Sequence, residues 1–140
     1  MRLLRVAKRV LVVEDNELNL KLFCDLLRAH AFSAEAVRDG RDAVARAREF
    51  APDLVVMDIQ LPYVSGEELI RQMKLDTGLR TIPIMAVTAY AGHEDEERIR
   101  VAGADAYVSK PISLARFMEE VRALVPEGAP PAAGEADPIT

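Results

Sequence analysis

Residues 10–16 read Val-Leu-Val-Val-Glu-Asp-Asn. Four consecutive apolar residues stop abruptly at two carboxylates and an amide. A short apolar run without polar alternation suits a strand of a parallel sheet buried on both faces. Working outward, similar runs occur at residues 34–37, 54–57, 84–87 and 106–108. The third and fourth of the five also lack polar alternation.

The intervening segments have helical character. Residues 16–30 carry Leu18, Leu22 and Leu26 at four-residue spacing, with Leu20, Phe23 and Leu27 beside them, and both Asp15 and Asn16 are good N-cap residues. Residues 41–50 form an Ala- and Arg-rich second helix that stops before Ala51-Pro52, because Pro disfavours helix in the residue ahead of it. The third covers 66–75. The fourth, 93–102, opens with Glu94, Asp95, Glu96 and Glu97, turns basic at Arg98 and Arg100, and has Gly103 for its C-cap, in keeping with the helix dipole. The fifth covers 113–124 and starts from Ser113, a natural N-cap. Five strands alternating with five helices predict an α/β fold, (βα)5, with right-handed crossovers and a doubly wound parallel five-stranded sheet.

Composition agrees. The chain has 140 residues, half of them hydrophobic and 29% charged, which predicts one ordinary globular domain. A net charge of -5, 5% aromatics and no Trp argue against a nucleic-acid binder. No segment approaches a membrane span. The lone Cys24, among Leu22, Phe23, Leu26 and Leu27, reads as helix packing in a reducing compartment. Residues 1–9 read as a short basic lead, 10–125 as the domain, and 126–140, dominated by Pro, Gly, Ala and acids, as a disordered tail.

The chemistry-bearing residues sit where strands end. Ligands of open α/β sheets bind outside the carboxyl ends of the strands, where strand order reverses. With the order 2-1-3-4-5, that point lies between the first and third strands, which deliver Glu14, Asp15 and Asp58. Three carboxylates close together are costly without a cation. Hard oxygen ligands favour Mg²⁺, for which Mn²⁺ can substitute. Taken singly, Asp15 reads as an N-cap and Asp58 as a loop residue; together they read as a site. A carboxylate can accept a phosphoryl group covalently. Lys110 would place a point charge against its oxygens. Thr88 would donate a hydrogen bond, or merely cap a turn, and the small Ala89 would leave room for the group.

The segments V-L-V-V-E-D-N, M-D-I-Q-L-P-Y-V-S-G, A-V-T-A and G-A-D-A-Y-V-S-K-P, in that order and spacing, resemble the defining motifs of two-component response-regulator receiver domains. The stretches V-E-D-N-E-L-N-L-K-L-F, D-E-E-R-I-R and S-K-P-I-S are similar to the single-domain cell-division regulators of that family. The resemblance covers about residues 10–125 and implies the flavodoxin-like order 2-1-3-4-5. It implies Asp58 as the phosphorylated residue, Asp15 as a direct metal ligand, and Glu14 as the neighbouring acid. It also implies the Gln60 backbone carbonyl as a metal ligand, Thr88 as the switch hydroxyl, Lys110 as the phosphate-binding cation and Pro111 as a cis-proline. Tyr107 matches the aromatic that follows Thr88 inward, Gly66 a loop glycine, and Gln60 and Tyr90 the positions that tune dephosphorylation. Where the family often has Asp-Asp, this chain has Glu14-Asp15.

The implied partners are sensor histidine kinases or phosphatases, or a histidine phosphotransfer protein, together with kinase-like regulatory proteins. No nucleic acid or membrane insertion is implied; the chain is expected to be cytoplasmic, with recruitment to membrane-bound kinases, and a monomer or weak dimer. It would be no enzyme beyond self-catalysed phosphotransfer and autodephosphorylation. Within the family, a phosphate sink or relay stays open beside a signalling output. Two rival classes fit less well. A phosphohydrolase of the Asp-x-Asp type needs an acid at the position held by Gln60. A flavodoxin-like cofactor binder needs a Gly- or Ser/Thr-rich phosphate loop where Glu14-Asp15-Asn16-Glu17 stands.

Overall fold

In the computed structural model of the chain, the described residues are 7–89 and 92–125. The expected tail at 126–140, most of the basic lead (1–6) and Tyr90 lie outside them. The strands are β1 (Arg9–Val13), β2 (Ser33–Val37), β3 (Leu54–Asp58), β4 (Ile84–Thr88) and β5 (Ala106–Ser109). The helices are α1 (Glu17–Ala29), α2 (Ala43–Phe50), α3 (Gly66–Leu75), α4 (His93–Ala102) and α5 (Leu114–Leu124). All strand pairs are parallel, in the order β2-β1-β3-β4-β5.

Alternation along the strands sorts the core into two layers. Val10, Val12, Leu54, Val56, Met85 and Val87 face the helices α1 and α5. There Phe23 and Phe117 stack with ring centroids 4.7 Å apart. Leu11, Val13, Val55, Met57, Ile84 and Ala86 face α2, α3 and α4. Every residue of β3 and β4 is buried, because helices cover both faces of the central strands.

Local boundaries follow capping chemistry. Asn16, not Asp15, is the N-cap of α1, its side chain accepting from the Asn19 N–H at 2.9 Å. Ser65 and Ser113 cap α3 and α5 in the same way. Arg41 does not begin α2; residues Gly40–Asp42 form a tighter 3-10 turn first. That helix ends on Ala51 at φ 52°, ahead of Pro52. The periodic Leu18 and Leu22 do not reach the core: α1 buries Leu20, Phe23, Cys24 and Leu27, while Leu18 is 76% and Leu22 43% exposed. The helix presents its apolar stripe one step round from the four-residue row.

β1 starts one residue before the apolar run, at Arg9 itself. Its N–H donates to Asp53 Oδ2 at 2.8 Å, and its guanidinium donates to the Ala51 carbonyl. Among the described residues, no helix is long and apolar enough to cross a membrane.

Candidate functional site

Parallel strands release their last residues on one edge, and the site is assembled from those ends. Asp58 is the final residue of β3, and Glu14 directly follows β1. The Glu14 N–H donates to the Val37 carbonyl at 3.0 Å, extending the β1–β2 ladder one step and anchoring the turn. Glu14 and Asp58 are each only 2% exposed. The Asn16 N–H donates to Glu14 Oε2 at 3.1 Å, and the Gln60 N–H to Asp58 Oδ1 at 3.0 Å. Carboxylate oxygens of Glu14, Asp15 and Asp58 lie within 4.8 Å of one another.

Among the described residues, Lys110 is the cation that faces this cluster. Lys110 Nζ stands 3.4 Å from Asp58 Oδ2 and 3.5 Å from Glu14 Oε1. It does not offset the crowding: burial, followed by the adjacent Asp58 carboxyl, pushes the Glu14 pKa up to about 7, against the opposing pull of the Asn16 N–H and Lys110. Glu14 Oε1 is buried without a hydrogen-bond partner. A buried, unsatisfied carboxylate oxygen among further carboxylates is an arrangement that a hard divalent cation completes. The donor set is all oxygen, so the residues fit Mg²⁺ or Mn²⁺.

The remaining sequence-predicted residues lie on β4, β5, the adjoining loops and the start of α3. Thr88 ends β4 and is fully buried; its carbonyl accepts from the Lys110 N–H at 2.7 Å. Ala89 follows it on the exposed side. The Lys110–Pro111 bond is cis. Tyr107 is half-buried on β5, opposite Ala86, against the core layer of α2, α3 and α4. Burial, with Asp95 and Glu96 nearby, pushes its phenol pKa up. Gly66 lies under the loop that carries Gln60: its N–H donates to the Ile59 carbonyl at 2.9 Å. A Cβ there would stand 2.1 Å from the Asp58 carbonyl oxygen.

Three features escaped sequence reasoning. The Gln60 side chain crosses to the next loop, its Oε1 accepting from the Ala89 N–H at 2.9 Å. Glu67 joins α3 to α4, taking Arg98 Nε at 2.8 Å as well as Arg71, and the two guanidinium groups hold its carboxyl below the usual range against the cost of burial. Leu22, Phe23, Pro111 and Ile112 line an apolar groove beside Lys110. The signal for the groove was present, as Leu18 and Leu22 are surplus to the buried stripe of α1. The other two depend on how separate elements are placed, a loop for Gln60 and two helices for Glu67, and left no mark in the sequence pattern.

Comparison with known proteins agrees with the fold. The chain is 54% identical over 115 residues to the polar-differentiation response regulator DivK of Brucella anthropi, covering 82% of this chain and 94% of that one. The chemotaxis protein CheY4 of Vibrio cholerae shares the fold at a TM-score of 0.82 with 21% identity, covering 86% of this chain and all of that one. The receiver domain of the sensor histidine kinase PA1611 of Pseudomonas aeruginosa, with magnesium coordinated in its active-site cleft, matches at a TM-score of 0.79 and 30% identity, over 86% of this chain and 99% of that one. The sequence profile of the response regulator receiver domain matches residues 10–122, and the chain belongs to that family.

Proposed function

We propose that this chain is a response regulator that accepts a phosphoryl group on Asp58 from a histidine kinase or phosphotransfer protein and signals by binding protein partners in the phosphorylated state. The observation that carries the reading is the pairing of two almost fully buried carboxylates, Asp58 and Glu14, with Lys110 Nζ 3.4 and 3.5 Å away. A buried acid pair beside the Lys110 cation is poorly satisfied alone and well suited to a metal and a phosphoryl group.

Each group then has a role. The Gln60 N–H orients the Asp58 carboxylate by holding Oδ1, which leaves Oδ2, on the Lys110 side, to attack phosphorus. The O–P bond to Asp58 forms as the N–P bond of the donor phosphohistidine breaks, and the histidine leaves as neutral imidazole on taking a proton. Glu14, Asp15, Asp58 and the Gln60 backbone carbonyl would hold Mg²⁺, which offsets charge on the transferring oxygens. Lys110 pairs with a phosphoryl oxygen in place of the carboxylate it now faces. The Thr88 hydroxyl donates to another, and Tyr107 follows it inward. The phosphoryl group adds about -1.5 to -2 charges, by analogy with other phosphoresidues. It shifts the face made by α4, β5 and α5 only as far as its interactions differ between the two arrangements.

The apolar groove of Leu22, Phe23, Pro111 and Ile112, opening beside Lys110, suits a helix of the phosphodonor. The likeness to DivK supports a role in cell division or polar differentiation, with kinase-like proteins as partners. The receiver unit covers residues 10–125 together with Arg9, the first residue of β1, between a short lead and the segment 126–140, and works in the cytoplasm. Incubation with Mg²⁺ and a small phosphodonor should add one phosphoryl group by intact mass, and Asp58→Asn should abolish it. Undiminished labelling of that variant would overturn the assignment.

A further inference from the structure

Gln60 makes two bonds with opposite consequences. Its backbone N–H fixes Asp58 Oδ1 at 3.0 Å, while its side-chain Oε1 accepts from the backbone N–H of Ala89 at 2.9 Å. One residue therefore ties the phosphoacceptor to the loop that follows Thr88. The tie spans adjacent strands: Asp58 pairs with Val87 across the β3–β4 ladder, two residues before Ala89. Ala89 also lines the groove that Lys110 lines, and Lys110 reaches Asp58. The Ala89 N–H is thus a donor at the edge of the site, committed to a neutral amide oxygen.

We propose that the Gln60 side chain is a latch that holds the Ala89 backbone, directly after β4, in its unphosphorylated position until a phosphoryl oxygen on Asp58 replaces it as the acceptor for the Ala89 N–H. The proposal rests on the phosphoacceptor reading of Asp58. An amide carbonyl is a weaker acceptor than a charged phosphoryl oxygen, so the exchange runs toward the phosphorylated arrangement. It is nonetheless an exchange, and the switch gains only the difference between the two bonds. Removing the amide acceptor leaves the Ala89 N–H without that partner beforehand, which lowers the opposition to switching. A neutral hydrogen bond of ordinary net strength corresponds to about 2- to 10-fold in the equilibrium. Gln60 is a positioning residue in this scheme: it acts through the Ala89 backbone and needs no contact with the phosphoryl group.

The test uses the full chain with Mg²⁺ and beryllofluoride, a phosphoryl mimic, together with amide hydrogen exchange of the metal-free protein. Gln60→Leu deletes the acceptor and keeps the backbone N–H. It should reduce protection of the Ala89 amide and bind beryllofluoride about 2- to 10-fold more tightly than the wild type. Gln60→Glu restores a side-chain acceptor and should restore Ala89 protection. Unchanged Ala89 protection in Gln60→Leu would show that the bond is not made and would overturn the latch. Lost protection with unchanged or weaker beryllofluoride binding would show that the bond does not oppose switching, and would also overturn it. If the wild-type chain fails to bind beryllofluoride with Mg²⁺, the phosphoacceptor reading falls, and the latch with it.

Discussion

Gly66→Ala sets two physical effects against each other with opposite signs. Gly66 is the first residue of α3, just after its Ser65 cap, and its φ is not in the left-handed region. Helix propensity alone predicts that Ala stabilises such a position, by up to about 1 kcal/mol. The tertiary structure predicts the reverse. The new Cβ would lie 2.1 Å from the Asp58 carbonyl oxygen, 2.7 Å from Ile59 Cα and 2.9 Å from the Asp58 carbonyl carbon. All three atoms are backbone, so no side chain can swing aside. Relief to 3.0 Å requires a displacement of 0.9 Å (3.0 minus 2.1) of α3 relative to β3. That displacement also stretches the bond from the Gly66 N–H to the Ile59 carbonyl. Overpacking costs about 1–3 kcal/mol, and the weakened hydrogen bond adds about 1 more. Set against the propensity gain, the expected net loss is roughly 1–4 kcal/mol, within the range a domain of this size survives.

Urea unfolding should show the midpoint falling with an unchanged slope. Because the moved backbone carries Asp58, Mg²⁺ affinity by titration should fall as well. Gly78→Ala is the control: its Cβ would meet only Asp76 Oδ1, at 3.4 Å, an ordinary contact. An unchanged or raised midpoint for Gly66→Ala would refute the argument that close backbone approach, and not propensity, dictates this glycine.

Other perturbations test other parts of the structure. Asp15→Asn should weaken Mg²⁺ binding strongly, and unchanged affinity by titration would exclude it as a ligand. Phe117→Ala removes a fully buried ring stacked on Phe23 and should cost about 3–5 kcal/mol in urea unfolding, whereas a loss under about 1 would show that the layer collapses around the gap. The pH dependence of the metal-free protein follows from Glu14, whose pKa is raised from 4.5 to about 7. Between those values the folded state holds a proton that the unfolded chain has released, so stability falls as pH rises. The contribution is full below 4.5 and lost as pH passes through 7. Glu14→Gln should flatten that fall in urea midpoints, and an equal slope in both proteins would contradict it.

Much of the fold was legible because burial on both faces leaves a plain trace. β3 and β4 show as apolar runs because helices cover both faces of these central strands, leaving a polar residue only at each carboxyl end, Asp58 and Thr88. The caps at Asn16, Ser65 and Ser113 obey local chemistry and could be read or nearly read from their neighbours. The stripe of α1 was harder. Leu18 and Leu22 continue a four-residue row, yet the buried side of α1 is the one that packs with Phe117 and Met118, far away in the chain. The 3-10 turn over Gly40–Asp42 was equally hidden: Gly40 is buried where a Cβ would press on Leu61, Val64 and Leu69, residues distant in the chain.

The site divides along the same line. The sequence by itself determined which residues are released at the strand ends: Glu14, Asp15, Asp58, Thr88 and Lys110 follow or finish apolar runs, and parallel strands must deliver such residues to one edge. Its motifs also determined the family. Only the tertiary structure decided how these groups bear on one another. It put Glu14 out of water with one oxygen unsatisfied, set Lys110 between two acids, and carried the Gln60 amide across to Ala89. The reason is physical. Chain order and apolar pattern specify which element a residue belongs to, whereas desolvation and hydrogen bonding depend on distances between loops that the pattern does not encode.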